Sequence, residues 1–186
     1  MLLRLNFMSN DQLHEIQQKA AQFELNRWLL SGVFTWQWWF LFAGFIIPWI
    51  ILFKFIDRKR AAPIWFFGLL VLIITSFTDD LGAEIGMWVY PIKLLPYSLI
   101  SFPFDFSLVP VAQMLIYQYC KTWKIFLFAL LIQAGIFAAV GEPFSIWAET
   151  ITYYGWNYAY SFLFYIFTGT LSRAFVSYWI NGRSRS

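Results

Sequence analysis

Asp105 lies inside an apolar run, residues 99–117, that is long enough to cross most of a bilayer. A carboxylate at such a depth costs about 3 kcal/mol or more unless it faces protein, water or an ion. Two further acidic groups can be brought to a similar depth: Asp79, Asp80 and Glu84 in one stretch, and Glu142 between Gly141 and Pro143 in another. Carboxylates gathered in this way can bind a cation, hold a polar headgroup or carry a proton.

Asp79, Asp80 and Glu84 offer oxygen ligands of the kind that Mg²⁺, Mn²⁺ or Ca²⁺ take. Asp80 and Glu84 are four residues apart, so a continuing helix places them on one face as a candidate metal pair. The spacing is similar to part of the carboxylate motifs that hold diphosphates through magnesium in prenyltransferases and CDP-alcohol phosphotransferases, but it is not either full motif. No nucleophile elbow, phosphate-cradling glycine loop or metalloprotease helix occurs. The single histidine, His14, lies in a polar N-terminal segment, so a Ser-His-Asp triad and bis-histidine haem ligation are both excluded and no haem is expected. The single cysteine, Cys120, excludes an internal disulfide.

The elements that must position these acids are membrane helices. The chain is 60% hydrophobic and 23% aromatic, with 12% charged residues, about half the charge of an ordinary soluble domain. Its basic residues cluster at the ends of apolar runs and form no stripe interleaved with exposed aromatics, so no nucleic acid is expected as a partner. The predicted fold is all-α: a polytopic bundle of about five transmembrane helices preceded by an N-terminal amphipathic helix. Residues 1–33 form the N-terminal segment, 34–180 the bundle and 181–186 a basic tail.

Ser9 and Gln12 have the spacing of a capping box, and Leu13, Ile16, Ala20, Phe23 and Trp28 then share one helix face. That helix either lies on the bilayer or packs on the rest of the protein. The spans are predicted at about 34–55, 62–78, 95–119, 125–140 and 158–180. Five spans place the termini on opposite sides. Lys54, Arg58, Lys59, Arg60, Lys121, Lys124, Arg173, Arg183 and Arg185 fall on one side; Arg4, Lys19, Arg27 and Lys93 fall on the other. The richer side is normally cytoplasmic, which predicts an inner-membrane protein with its N-terminus outside and its C-terminus inside.

Counting about 1.5 Å of rise per residue, Asp79 stands about 27 Å from Ala61, Glu142 about 27 Å from Lys124 and Asp105 about 21 Å from Tyr119. All three reach the outer part of a hydrocarbon core about 30 Å thick, where they can converge on one pocket. Pro103 and Pro110 bracket Asp105 and should bend its helix. Lys93 is the nearest basic partner for these acids, whereas Arg173 should reach for the inner face. Trp88 and Tyr90 sit among aromatics that serve either as an interface belt or as pocket lining. The stretch 82–90, with Glu84 and Trp88, loosely parallels 141–147, with Glu142 and Trp147, as an ancestral hairpin repeat would.

Asp79-Asp80-Leu81-Gly82, Gly86 through Pro91, Pro103-Phe104-Asp105, Pro110, Tyr117-Gln118-Tyr119, Gly141-Glu142-Pro143, Trp147 and Tyr154-Gly155-Trp156 together resemble a small multi-pass membrane family of endospore-forming bacteria. The resemblance covers about residues 35–180 and implies a membrane location and a shared polar site, without a reaction. Three functions stay open. An outer acidic pocket formed by Asp79, Asp80, Asp105, Glu142, Trp88 and Tyr90 would bind a cation or lipid ligand in a transporter, sensor or accessory subunit. A metal-dependent enzyme would act on a lipid or polyprenyl phosphate, with Asp80 and Glu84 holding the metal. A structural subunit would pair with a homo-oligomer or a partner membrane protein. Membrane lipids are the expected surroundings in each case.

Overall fold

The computed structural model describes residues 9–98 and 101–183. The fold is all-α apart from one two-stranded ribbon. Helix α1 is Asn10–Arg27, α2 is Trp36–Phe55, α3 is Ala61–Glu84, α4 is Val109–Tyr119, α5 is Trp123–Ile136, α6 is Glu142–Trp147 and α7 is Tyr158–Arg183. Strands β1, Trp88–Val89, and β2, Thr152–Tyr153, pair antiparallel with Trp88 opposite Tyr153.

Among the described residues, three helical stretches are long and apolar enough to cross a membrane: Trp36–Phe55, Arg58–Glu84 and Trp123–Trp147. They correspond to the segments expected at about 34–55, 62–78 and 125–140. Some boundaries differ from expectation. Helix α3 runs on through Asp79 and Asp80 to Glu84, where Gly86 takes a left-handed φ of 77° and turns the chain into β1. The expected helix from residue 95 begins instead at 102, because 91–98 and 101 form an irregular loop. That loop is pinned by the Trp28 indole donating to the Lys93 carbonyl at 3.1 Å and the Trp38 indole donating to the Leu94 carbonyl at 3.0 Å.

The expected capping box is present, with Ser9 and Gln12 bonded reciprocally. None of the residues in α1 is buried, and Leu13, Ile16 and Phe23 are exposed. Helix α7 continues to Arg183, past the span expected at 158–180; Arg4 and residues 184–186 lie outside the described residues.

Two π-helical turns shape the bundle: 104–108 before α4 and 137–141 between α5 and α6. Each sits just ahead of a proline. In the first, Val109 N–H bonds to the Phe104 carbonyl; the next donor in that register would come from Pro110, which has none. The Asp105 carbonyl is thereby left open, and Thr75 Oγ1 donates to it at 3.3 Å. In the second, Glu142 N–H bonds to the Phe137 carbonyl, and Pro143 is the residue without a donor. The wide turn accommodates Pro143 without ending the helix, so the stretch expected at 125–140 continues to Trp147.

The apolar core occupies one half of the bundle. Leu52, Ile64, Phe67, Val71, Met114, Phe126, Leu130 and Val176 are buried there, near the end that carries the basic loops. At that end the Arg60 guanidinium donates to the Gln118 carbonyl at 3.1 Å, and Arg173 donates to the carbonyls of Cys120 and Lys121 at 2.9 and 2.6 Å. Arg173 also lies over the Phe126 ring, 4.4 Å from its centroid, so its charge is spent on closing the α4–α5 loop. The opposite end carries β1 and β2, and the acids lie there.

Gly82 is where α3 makes its closest approach to β1. A Cβ at this position would overlap the Trp88 ring, which is fixed by its indole hydrogen bond and an edge contact with Trp156 at 5.0 Å. Gly82→Val should therefore destabilise the purified protein by about 1–3 kcal/mol. Thermal unfolding in detergent would show this as a lower midpoint than wild type, and an unchanged midpoint would refute the packing argument.

Candidate functional site

A cavity of about 290 Å³ lies between the helices at the strand end. Asp79, from the last turns of α3, Asp105, from the first π turn, and Glu142, at the start of α6, all line it. Trp88 and Tyr90 line it from the loop after α3. Asp80 and Glu84 do not; both are exposed on α3 outside the cavity. Among the described residues no group of three or more His, Cys, Asp or Glu side chains is gathered as a metal site.

Asp79 is a hub. Its Oδ1 accepts from the Trp88 indole at 3.0 Å and from the Tyr90 hydroxyl, and its Oδ2 accepts from the Ser101 backbone N–H at 3.0 Å. Asp105 Oδ2 accepts from the same N–H at 3.1 Å. Asp105 is buried, and its backbone carbonyl is held by Thr75. The Asp79–Asp105 pair thus ties α3, the loop after it and the π turn into one unit. Burial, reinforced by the nearby Asp79 charge, pushes the Tyr90 phenol well above its ordinary pKa, so Tyr90 remains a hydroxyl donor at physiological pH.

Glu142 is placed differently. Its residue is 7% exposed, and its Oε1 accepts from the Tyr165 hydroxyl at 3.1 Å. Its Oε2 is buried with no hydrogen-bond partner among the described residues. Tyr153 and Ser161 stand beside it, and Ser161 Oγ is engaged by the Trp156 indole at 2.6 Å. Burial, followed by the Glu142 charge, also raises the Tyr153 phenol pKa, keeping it protonated. A buried acceptor without a partner is costly. The residue that carries it is part of the cavity lining.

Lys93, the expected partner of the acids, pairs instead with Glu24 of α1 at 2.9 Å. The indole bonds that pin the 91–98 loop beneath the start of α2 carry Lys93 toward α1. Among the described residues, no Lys, Arg or His lines the cavity. Its walls are apolar, including Phe40, Ile136, Val140 and Phe164. Ser101, Thr75, Tyr165 and Ser161 were not identified as site residues from the sequence. Tyr165 and Ser161 carry one visible signal, a polar group within an otherwise apolar helix.

No known protein family, characterised protein or solved structure matches this chain. The arrangement of the site therefore has to carry the functional argument by itself.

Asp79→Ala would leave the Trp88 indole, the Tyr90 hydroxyl and the Ser101 N–H without their acceptor. At about 1–3 kcal/mol for an unsatisfied buried group, it should destabilise the protein by more than about 2 kcal/mol. Asp80→Ala, at an exposed neighbour, should stay within about 0.5 kcal/mol of wild type. Denaturation of both variants in the same detergent compares them directly, and equal effects would remove Asp79 as the hub.

Proposed function

We propose that this is an integral inner-membrane protein of five spans that binds a cationic group in its acidic, aromatic cavity, acting as a transporter, sensor or accessory subunit. The two spans beyond the three long apolar stretches are, in this arrangement, the helical stretch 102–119 and α7. The observation that carries the function is Glu142, a residue of the cavity lining whose Oε2 is buried without a hydrogen-bond partner among the described residues. A cation placed there supplies the missing partner. The faces and edges of Trp88, Tyr90, Tyr153 and Trp156 surround the same volume, and aromatic faces attract ammonium groups by about 0.5–2 kcal/mol each.

The absence of any Lys, Arg or His among the lining residues disfavours a free phosphate as the ligand. Orientation follows the basic residues. Lys54, Arg58, Lys59, Arg60, Lys121 and Lys124 belong to the end opposite the strands, so the cytoplasm lies there and the cavity lies toward the exterior. Helix α1, with Leu13, Ile16 and Phe23 exposed, lies along the outer membrane surface in this arrangement.

Tetramethylammonium is the simplest probe. Added to purified protein in a neutral maltoside detergent, it should raise the thermal midpoint relative to sodium chloride at equal ionic strength. Glu142→Gln should weaken its apparent affinity by at least about tenfold, the loss expected when a buried charge pair becomes a neutral contact. Asp80→Asn should leave the affinity within twofold of wild type, roughly the effect of an exposed charge. The same response to both salts in wild type would overturn the cation-binding function.

A further inference from the structure

The walls of the cavity bear on how a ligand arrives. Ile136 and Val140 line it, yet they are 54% and 63% exposed. A residue that faces both a cavity and the outside marks its rim. Both residues belong to the apolar stretch Trp123–Trp147, whose exposed surface faces hydrocarbon in a membrane. The facing wall is Phe40 of α2, which belongs to another apolar stretch.

Above this rim the two helices are bridged by rings. Trp36 meets Trp147 at 5.6 Å between centroids, and Phe40 meets Phe144 one turn deeper at 5.1 Å. Val140 lies seven residues before Trp147, so the mouth opens about 10 Å below that end of the helix. The strand ribbon lies over the end of the cavity itself, with Trp88, Tyr153 and Trp156 among its lining residues. A polar group bound at Glu142 therefore has an apolar opening to one side and an aromatic cover toward the membrane surface.

We propose that the ligand is a long-chain amphiphile with an ammonium headgroup, and that it enters sideways from the bilayer between α2 and the α5–α6 stretch. The headgroup rests against Glu142 beneath the aromatic cover, and the chain leaves across Ile136 and Val140 beneath the Phe40–Phe144 pair. This rests on the cation-binding function proposed above and adds the ligand class and its route. The cavity volume suits a headgroup and the first few methylenes, while the remainder of the chain stays in lipid. Each methylene taken up by the apolar walls strengthens binding, which a soluble cation cannot gain.

Dodecyltrimethylammonium and tetramethylammonium present the same headgroup with and without a chain. In neutral maltoside detergent the dodecyl compound should stabilise wild-type protein at a concentration lower by at least about tenfold, the equivalent of a few buried methylenes. Val140→Trp and Ile136→Trp add bulk at exposed rim positions, where folding tolerates it, and should narrow the mouth. Each should bring the dodecyl compound to within about twofold of tetramethylammonium measured on the same variant. Glu142→Gln should weaken both compounds.

Equal affinity of the two compounds for wild type would overturn the lipid-ligand proposal while leaving cation binding intact. An undiminished chain advantage in both rim variants would overturn the sideways route. Dodecyl binding that is indifferent to Glu142→Gln would show that the headgroup is not recognised, and overturn the proposal. Binding of neither compound would overturn this proposal together with the function beneath it.

Discussion

A carboxyl group held away from water must be given hydrogen-bond donors by the protein, and the strand end of this molecule is organised around that requirement. Asp79 receives an indole N–H, a phenol O–H and a backbone N–H. Each donor comes from the loop region that follows α3, so satisfying one carboxylate also fixes the course of that loop. Trp88 is thereby set as the partner of Tyr153 in the ribbon, and the ribbon joins the two halves of the chain across the cavity. Asp105 joins the same network through Ser101.

The prolines supply the second constraint. A π turn ahead of Pro110 and another ahead of Pro143 let two helices continue where a missing donor would otherwise break them. Both turns lie beside the cavity, and both place an acid at its wall: Asp105 within the first and Glu142 immediately after the second. Ser107, in the first turn, donates to the Phe45 carbonyl at 2.7 Å, three residues ahead of Pro48. Irregular backbone at this depth is thus covered by protein or faces a cavity, as an apolar solvent demands.

Much of this was legible in the sequence because helical rise and bilayer thickness are both nearly fixed. Counting residues from the basic anchors placed Asp79, Asp105 and Glu142 at one height, and the three do line one cavity. The capping box at Ser9 was legible for the same reason, since it depends on local spacing alone. What was not legible depends on contacts between distant segments. Hydropathy extends smoothly from 95 to 119, yet the helix starts at 102 because Trp28 and Trp38 hold the loop from a different part of the chain. The same bonds carry Lys93 to Glu24 and away from the acids. Glu142-Pro143 reads as a helix end by local rules, and only the wider turn before it allows the helix to go on.

Burial alone singled out Asp105 in the sequence, but burial and availability are different properties. Asp105 accepts from the Ser101 N–H, and its neighbour Asp79 accepts from that N–H and from two further groups, Trp88 and Tyr90. Breaking into that network to bind a ligand would cost the protein bonds that hold its loop. Glu142, in the cavity lining, has one oxygen anchored by Tyr165 and the other without a hydrogen-bond partner among the described residues. The anchored oxygen fixes the side chain's direction, so little conformational freedom is left to lose on binding. The aspartates are therefore best understood as the frame of the site, and Glu142 as the group whose chemistry is still available.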